Sequence, residues 1–128
     1  SEKESVSLGE VVIATVKGDI HDIGKNIVKV IMENYGYRMI DLGRDVPAEK
    51  IVETVVERDI KLVGLSALMT TTLKSMEDTI TAIRAAAPDC RVMVGGAVLT
   101  ADYAERIGAD FYCKDAMKSV EAAQEVFG

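Results

Sequence analysis

Tryptophan is absent from this 128-residue chain, histidine occurs once, and cysteine and proline occur twice each. The two thiols, Cys90 and Cys113, stand far apart rather than as a CxxC pair, and a chain of this size needs no disulfide to hold its core. Both read as reduced structural cysteines. With ten glycines and two prolines the composition excludes collagen-like repetition and low complexity. Positive charge is in deficit: 15 Lys and Arg face 21 Asp and Glu, for a formal net charge of -6. Such a surface repels nucleic acid and phospholipid alike, so neither is expected as a partner. No apolar run approaches the ~20 residues of a membrane span, and the polar opening Ser1-Glu2-Lys3-Glu4-Ser5 lacks a signal-peptide core. The expected location is cytoplasmic.

What is present is alternation. Val11 to Val16 is a β-branched apolar run of the kind buried on both faces of a sheet, and Ile23, Ile27, Val30 and Ile31 follow at helical spacing. The helix from Ile23 to Asn34 ends at Gly36, a left-handed cap residue. Tyr37 to Leu42 reads as a second strand, and Pro47 suits the first turn of a helix whose buried stripe is Ile51, Val52, Val55 and Val56. Lys61 to Ser66 is a third strand, followed by a helix with Leu73, Met76, Ile80 and Ile83 on one face until Pro88-Asp89. Arg91 to Val94, ending on Gly95-Gly96, is a fourth strand. A short helix carries Ala101, Ala104 and Ile107, Gly108 to Cys113 is a fifth strand, and Ala116 to Phe127 a last helix. Five strands alternating with five helices predict a flavodoxin-like, Rossmann-like α/β fold: a three-layer sandwich around a five-stranded parallel sheet, with which the order 2-1-3-4-5 fits. Residues 1–9 read as a polar lead-in or linker remnant and residues 10–128 as one domain.

The chemistry concentrates in Gly18-Asp19-Ile20-His21-Asp22-Ile23-Gly24-Lys25, which joins the first strand to the first helix. A phosphate-binding loop is excluded by spacing, because five residues separate the glycines and Asn26 follows the lysine. A nucleophile elbow would need glycine where Gly64-Leu65-Ser66-Ala67-Leu68 has leucine, and a phosphoacceptor receiver would need aspartate where Ser66 stands. Asp19 and His21, two apart in an extended loop, can lie on the same side. A carboxylate on one ring nitrogen then orients the other as a metal ligand. One imidazole cannot hold a bare transition ion, so the metal should arrive already ligated by a cofactor, with the protein adding one axial bond. Gly18, Gly24, Gly64, Gly95 and Gly96 at strand ends read as turn residues that together clear space for something bulky. Thr70 to Thr72 reads as a helix N-cap whose hydroxyls are also available to ligand polar groups.

Asp19-x-His21-x-x-Gly24, then Ser66-x-Leu68, then Gly95-Gly96, together resemble the three-part fingerprint of cobalamin-binding domains, over nearly the whole chain from Gly9 to Phe127. Within that superfamily, Gly18 to Asn26 and Ser66 to Thr72 are most similar to the methyl carriers: corrinoid proteins of methanol and methylamine methyltransferase systems, and the cobalamin domain of methionine synthase. The resemblance implies a cobalamin or related corrinoid bound with its own benzimidazole detached and His21 as the lower axial ligand of cobalt. Asp19 would bond the far nitrogen of His21, with Thr72 standing where family members usually carry serine, so that Asp19, His21 and Thr72 form the axial-ligand relay.

The same resemblance makes Gly18, Asp19, Ile20, His21, Asp22, Ile23 and Gly24 the loop that meets the cofactor. Ser66, Leu68, Thr70 and Thr72 would contact it from the end of the third strand and the segment after it, Gly95 and Gly96 would admit its nucleotide tail, and Ala116 would be a further contact. The implied role is methyl shuttling, in the methyl-cobalt form, between a substrate-specific methyltransferase and an acceptor methyltransferase, with a corrinoid reductive activation protein as a third partner and no catalysis by the chain alone. A cobalamin-binding subunit of an adenosylcobalamin mutase and a corrinoid-sensing regulatory module are the alternative readings. Methyl carriers also usually place a helical cap ahead of the cobalamin domain. Here only residues 1–9 precede the first strand, so the cap is expected to have been excised or its place taken by a partner.

Overall fold

The computed structural model describes residues 7–128. Along them run β1 (Glu10–Thr15), α1 (Ile23–Asn34), β2 (Arg38–Asp41), α2 (Ala48–Arg58), β3 (Leu62–Ser66), a 3-10 turn (Thr70–Thr72), α3 (Leu73–Ala86), β4 (Arg91–Gly95), α4 (Ala101–Arg106), β5 (Phe111–Tyr112) and α5 (Ala116–Phe127). The strands pair in parallel in the order β2-β1-β3-β4-β5. This is the flavodoxin-like order expected from the alternation of elements.

Side-chain alternation along the central strands divides the core in two. Val12, Ala14 and Val16 of one face pack with Ile51 and Val55 of α2, with Met76, Ile80 and Ile83 of α3, and with Ala104 of α4. Val11 and Ile13 of the other face pack with Met32 of α1 and with Val120 and Ala123 of α5. The chain therefore leaves β1 toward one face and β3 toward the other, which opens a crevice at the carboxyl ends of the strands.

Local chemistry sets the boundaries. Gly36, with φ +98, ends α1: its N–H donates to the Glu33 carbonyl at 3.0 Å and the Tyr37 N–H to the Met32 carbonyl at 3.2 Å, the paired bonds of a left-handed helix cap. Pro47, in extended backbone, sits directly before α2 rather than inside its first turn. β5 is shorter than the expected Gly108 to Cys113, because only Phe111 and Tyr112 find ladder partners on β4.

Three expectations change. Val56 is exposed, so the buried stripe of α2 is Ile51 and Val55. The helix expected from Ile23, Ile27, Val30 and Ile31 is there as α1, with Ile23, Ile27 and Val30 on an exposed face and Lys25 and Met32 buried. Gly64 lies mid-strand in β3 and Gly24 within α1, so neither is a turn residue. Within the proposed lead-in, residues 1–6 lie outside the described residues. Leu8 and Gly9, by contrast, are tied in through Leu8 N–H to the Gly36 carbonyl and Arg38 N–H to the Gly9 carbonyl. Among the described residues no helix is long and apolar enough to cross a membrane.

Candidate functional site

The β1–α1 loop turns at Gly18, whose φ of +87 is a left-handed conformation natural to glycine. The turn folds Asp19 under the loop, where it is fully buried. Its Oδ1 accepts from the His21 N–H at 3.0 Å and faces His21 Nδ1 at 2.8 Å. Its Oδ2 accepts from the Leu68 N–H at 2.7 Å, the Met69 N–H at 3.3 Å and the Thr72 hydroxyl at 2.7 Å. Burial alone would push this carboxyl up. The N–H groups of Leu68 and His21, the Thr72 hydroxyl and the imidazole outweigh burial and hold it well below the usual carboxylate range.

An ionised carboxylate only accepts, so His21 Nδ1 carries the proton and donates it to Asp19. Nε2 is then left with a free lone pair. The side chain is 44% exposed, and the structure gives Nε2 no partner among the described residues. Thr72 occupies the N-cap position of α3, yet makes no side-chain cap bond there; its hydroxyl turns to Asp19 instead.

Beside His21 opens a cavity of about 900 Å³ between α1, α5 and the sheet. Its floor is built from β1, β3 and β4 through Ile13, Gly64 and Met93. A Cβ added at Gly64 would lie 2.9 Å from the Met93 methyl and 3.1 Å from Ile13 Cγ2, so glycine keeps the floor low. Opposite, α5 offers only Ala116 and Ser119 to the cavity, and these small side chains keep the helix from filling it. Ile20, Ile23 and Leu68 stand exposed at the lining, an apolar rim around the imidazole.

Of the residues singled out from the sequence, Ile20, His21, Asp22, Ile23, Gly24, Ser66, Leu68, Gly95, Gly96 and Ala116 all line this cavity. Gly18, Asp19 and Thr72 lie behind the histidine, a Gly18 Cβ meeting Thr72 Cγ2 at 3.3 Å. Thr70 is exposed and is not part of the lining. Gly95 and Gly96 both line the cavity and both sit against neighbouring backbone: a Cβ on Gly95 would lie 3.1 Å from the Cys113 carbonyl oxygen, and one on Gly96 would fall 1.8 Å from the Ala67 carbonyl oxygen, an approach only glycine permits.

Sequence reasoning missed the Lys25–Asp41 pair. Lys25 Nζ, 3% exposed, meets both Asp41 oxygens at 2.7 and 2.8 Å and Asn26 Oδ1 at 3.0 Å. The only available signal was a cation in the first turn of a helix, where the macrodipole disfavours it unless an anion answers it. Ser119 was missed too, although its spacing of three from Ala116 marks a face of small residues on α5.

The site fits a bulky group that carries its own metal. Among the described residues no group of three His, Cys, Asp or Glu side chains is placed to hold an ion. One lone imidazole nitrogen beside a large, mostly apolar cavity suits an ion that brings its other ligands with it. Comparison with known proteins agrees. The family model described as a B12 binding domain matches residues 9–123. A dimethylamine corrinoid protein of Methanosarcina acetivorans is 44% identical over 93% of this chain and 57% of its own length. A novel cobalamin-binding protein from Desulfitobacterium hafniense has a TM-score of 0.89 at 39% identity, covering 94% of this chain and 60% of that one. The methanol:cobalamin methyltransferase complex of Methanosarcina barkeri contains a chain with a TM-score of 0.91 at 30% identity, covering 95% of this chain and 47% of that one. The chain thus spans less than two thirds of the length of these proteins. The floor, the rim and the lone imidazole nitrogen are compatible with such a group, and the family match over residues 9–123 places this chain in the B12-binding domain family, with cobalamin or a related corrinoid as its cofactor.

Proposed function

We propose that the chain is the corrinoid-holding part of a methyl carrier, working between a substrate-specific methyltransferase and an acceptor methyltransferase and kept reduced by an activation protein. The observation that carries the reading is the relay from the Thr72 hydroxyl through the Asp19 carboxylate to His21, with steps of 2.7 and 2.8 Å, ending in a free Nε2 at the cavity. When bound, a corrinoid supplies a cobalt centre able to accept and release a methyl group. The residues of the chain do the rest. His21 Nε2 would offer its lone pair to the cobalt, and Asp19 holds the Nδ1 proton so that the ring keeps that tautomer. Thr72 and the Leu68 N–H keep Asp19 charged, so the basicity of the imidazole is set from behind. The floor at Gly64 and the small face of α5 would receive the nucleotide tail, and Ile20, Ile23 and Leu68 would meet the apolar periphery of the ring.

The similarity to a dimethylamine corrinoid protein favours methylated amines as the methyl source. To test this, the reduced holoprotein is mixed with methanol or a mono-, di- or trimethylamine and the methyltransferase for that substrate, and methyl uptake is followed in the visible spectrum. Uptake with one of the amines is expected. A fully loaded holoprotein that accepts no methyl group from any of the four, but is stable with an adenosyl upper ligand, would overturn the carrier reading in favour of a mutase subunit.

A further inference from the structure

The loop that carries Asp19 and His21 is held from outside by a residue of another loop. Asp45, between β2 and α2, accepts the Gly18 N–H on its Oδ1 at 2.7 Å and donates its own N–H to the Asp19 carbonyl at 2.9 Å. Two successive residues of the turn are thus gripped by one side chain and its own backbone. Asp45 adopts φ +54 to do so, one of only two non-glycine residues with positive φ among those described. That conformation is unfavourable for most residues and least so for Asp, Asn and Gly. The grip rests on a fixed base, because Val46, the next residue, is buried and bridges Val16, its N–H donating to the Thr15 carbonyl at 3.1 Å. Asp45 therefore connects the central strand to the turn on which the carboxylate rides.

We infer that Asp45 is a positioning residue: it fixes the Gly18–Asp19 turn so that the Asp19 carboxylate stands at once under His21 and against the Leu68 N–H and Thr72 hydroxyl. The consequence for the cofactor rests on the function proposed above. The positioning itself is a property of the chain without any ligand, and it can be read there.

The probe is the Leu68 amide, which lies 49 positions from Asp19 and on the opposite loop. It reports the position of the carboxylate, not the mobility of the Gly18 turn. Three variants separate the contributions. Asp45→Gly keeps the left-handed backbone and removes the acceptor, Asp45→Asn keeps both, and Asp45→Ala loses both. In the protein without corrinoid, Asp45→Gly is expected to speed exchange of the Gly18 amide about fivefold, the factor of one ordinary hydrogen bond. It should also move the Leu68 amide proton upfield as its bond to Asp19 lengthens. Asp45→Asn should restore both, and Asp45→Ala should exceed Asp45→Gly. A Leu68 resonance unmoved in Asp45→Gly would overturn the inference, as would an Asn variant that behaves like the Gly variant. If Leu68 responds as expected while His21→Ala leaves the cobalt(II) spectrum of the holoprotein unchanged, Asp45 still positions the carboxylate, and it is the axial-ligand reading that fails.

Discussion

Asp19→Asn is the substitution that strains this site most for the smallest change in shape. The carboxylate accepts from five donors: the His21 N–H, His21 Nδ1, the Leu68 and Met69 N–H groups and the Thr72 hydroxyl. An amide offers one oxygen and one NH2 group. If the oxygen takes the Leu68 and Thr72 side, the NH2 group confronts the His21 N–H, and that bond is lost. The remaining bonds to Leu68, Met69 and Thr72 fall from charged to neutral acceptors. With charged bonds contributing ~1.5–3 kcal/mol and neutral ones about 1 kcal/mol less, one bond lost and three weakened should cost the variant about 4–6 kcal/mol. For a domain of this size that corresponds to a fall in Tm of roughly 10–20 °C.

The loss has a pH signature. Asp19 in the folded chain lies well below its unfolded value of about 3.9. Its contribution is therefore fully present above that value and fades as pH falls toward the folded value. Urea unfolding of the two proteins should show a constant gap above pH ~5 that narrows below pH ~4. A gap under ~1 kcal/mol at neutral pH, or one that stays constant under acid, would refute the reasoning. The same substitution turns Nδ1 into an acceptor and moves the ring proton to Nε2, so the proposed ligation of cobalt by His21 should be lost from the holoprotein as well.

The other predictions concern the surroundings. Removing Asp41 should destabilise more than removing Lys25: Asp41→Ala strands a buried ammonium, for about 3–5 kcal/mol, whereas Lys25→Met leaves Asp41, 20% exposed and still bonded to the Gly43 N–H, in contact with water. Equal losses in denaturant unfolding would contradict this. Gly64→Ala should fold, since the flexible end of Met93 can move aside. It should nevertheless weaken corrinoid binding by roughly ten- to a hundredfold, the range of ~1–3 kcal/mol for overpacking, and unchanged titration with cobalamin would place the tail elsewhere. Thr15 Oγ1 is fully buried without a partner. Thr15→Val should therefore raise the stability of the unliganded chain by about 1 kcal/mol, and a comparable loss would mean the hydroxyl is bonded.

How much of this was legible in the sequence depended on distance along the chain. Asp19 and His21 are two positions apart, and their bond could be read from spacing and residue type. The parallel sheet followed from alternation, because strands joined by helices admit few arrangements, while the strand order was one that alternation fitted without singling it out. Thr72, 53 positions from Asp19, was reached only through resemblance. Asp45, 27 positions from Gly18, and Asp41, 16 from Lys25, carried no local signal at all. Periodicity located α1 but said nothing of its surroundings. Ile23, Ile27 and Val30 share a face of α1, but repetition reveals that a face exists and not what covers it. Ile23 and Ile27 line the cavity, and a site meant for a large apolar group reads in sequence like an ordinary core. Gly64 was read as one of several glycines that clear space, and its missing side chain does form cavity floor, though mid-strand and not at a turn.

Because the chain has a single histidine, labelling that residue type labels one side chain. The holoprotein is prepared with natural and with nitrogen-15 histidine, and the electron paramagnetic resonance of its cobalt(II) state is recorded. With His21 Nε2 on the metal, the superhyperfine triplets of natural nitrogen should become doublets on labelling. Triplets that survive the label would show that the nitrogen on cobalt is not from His21.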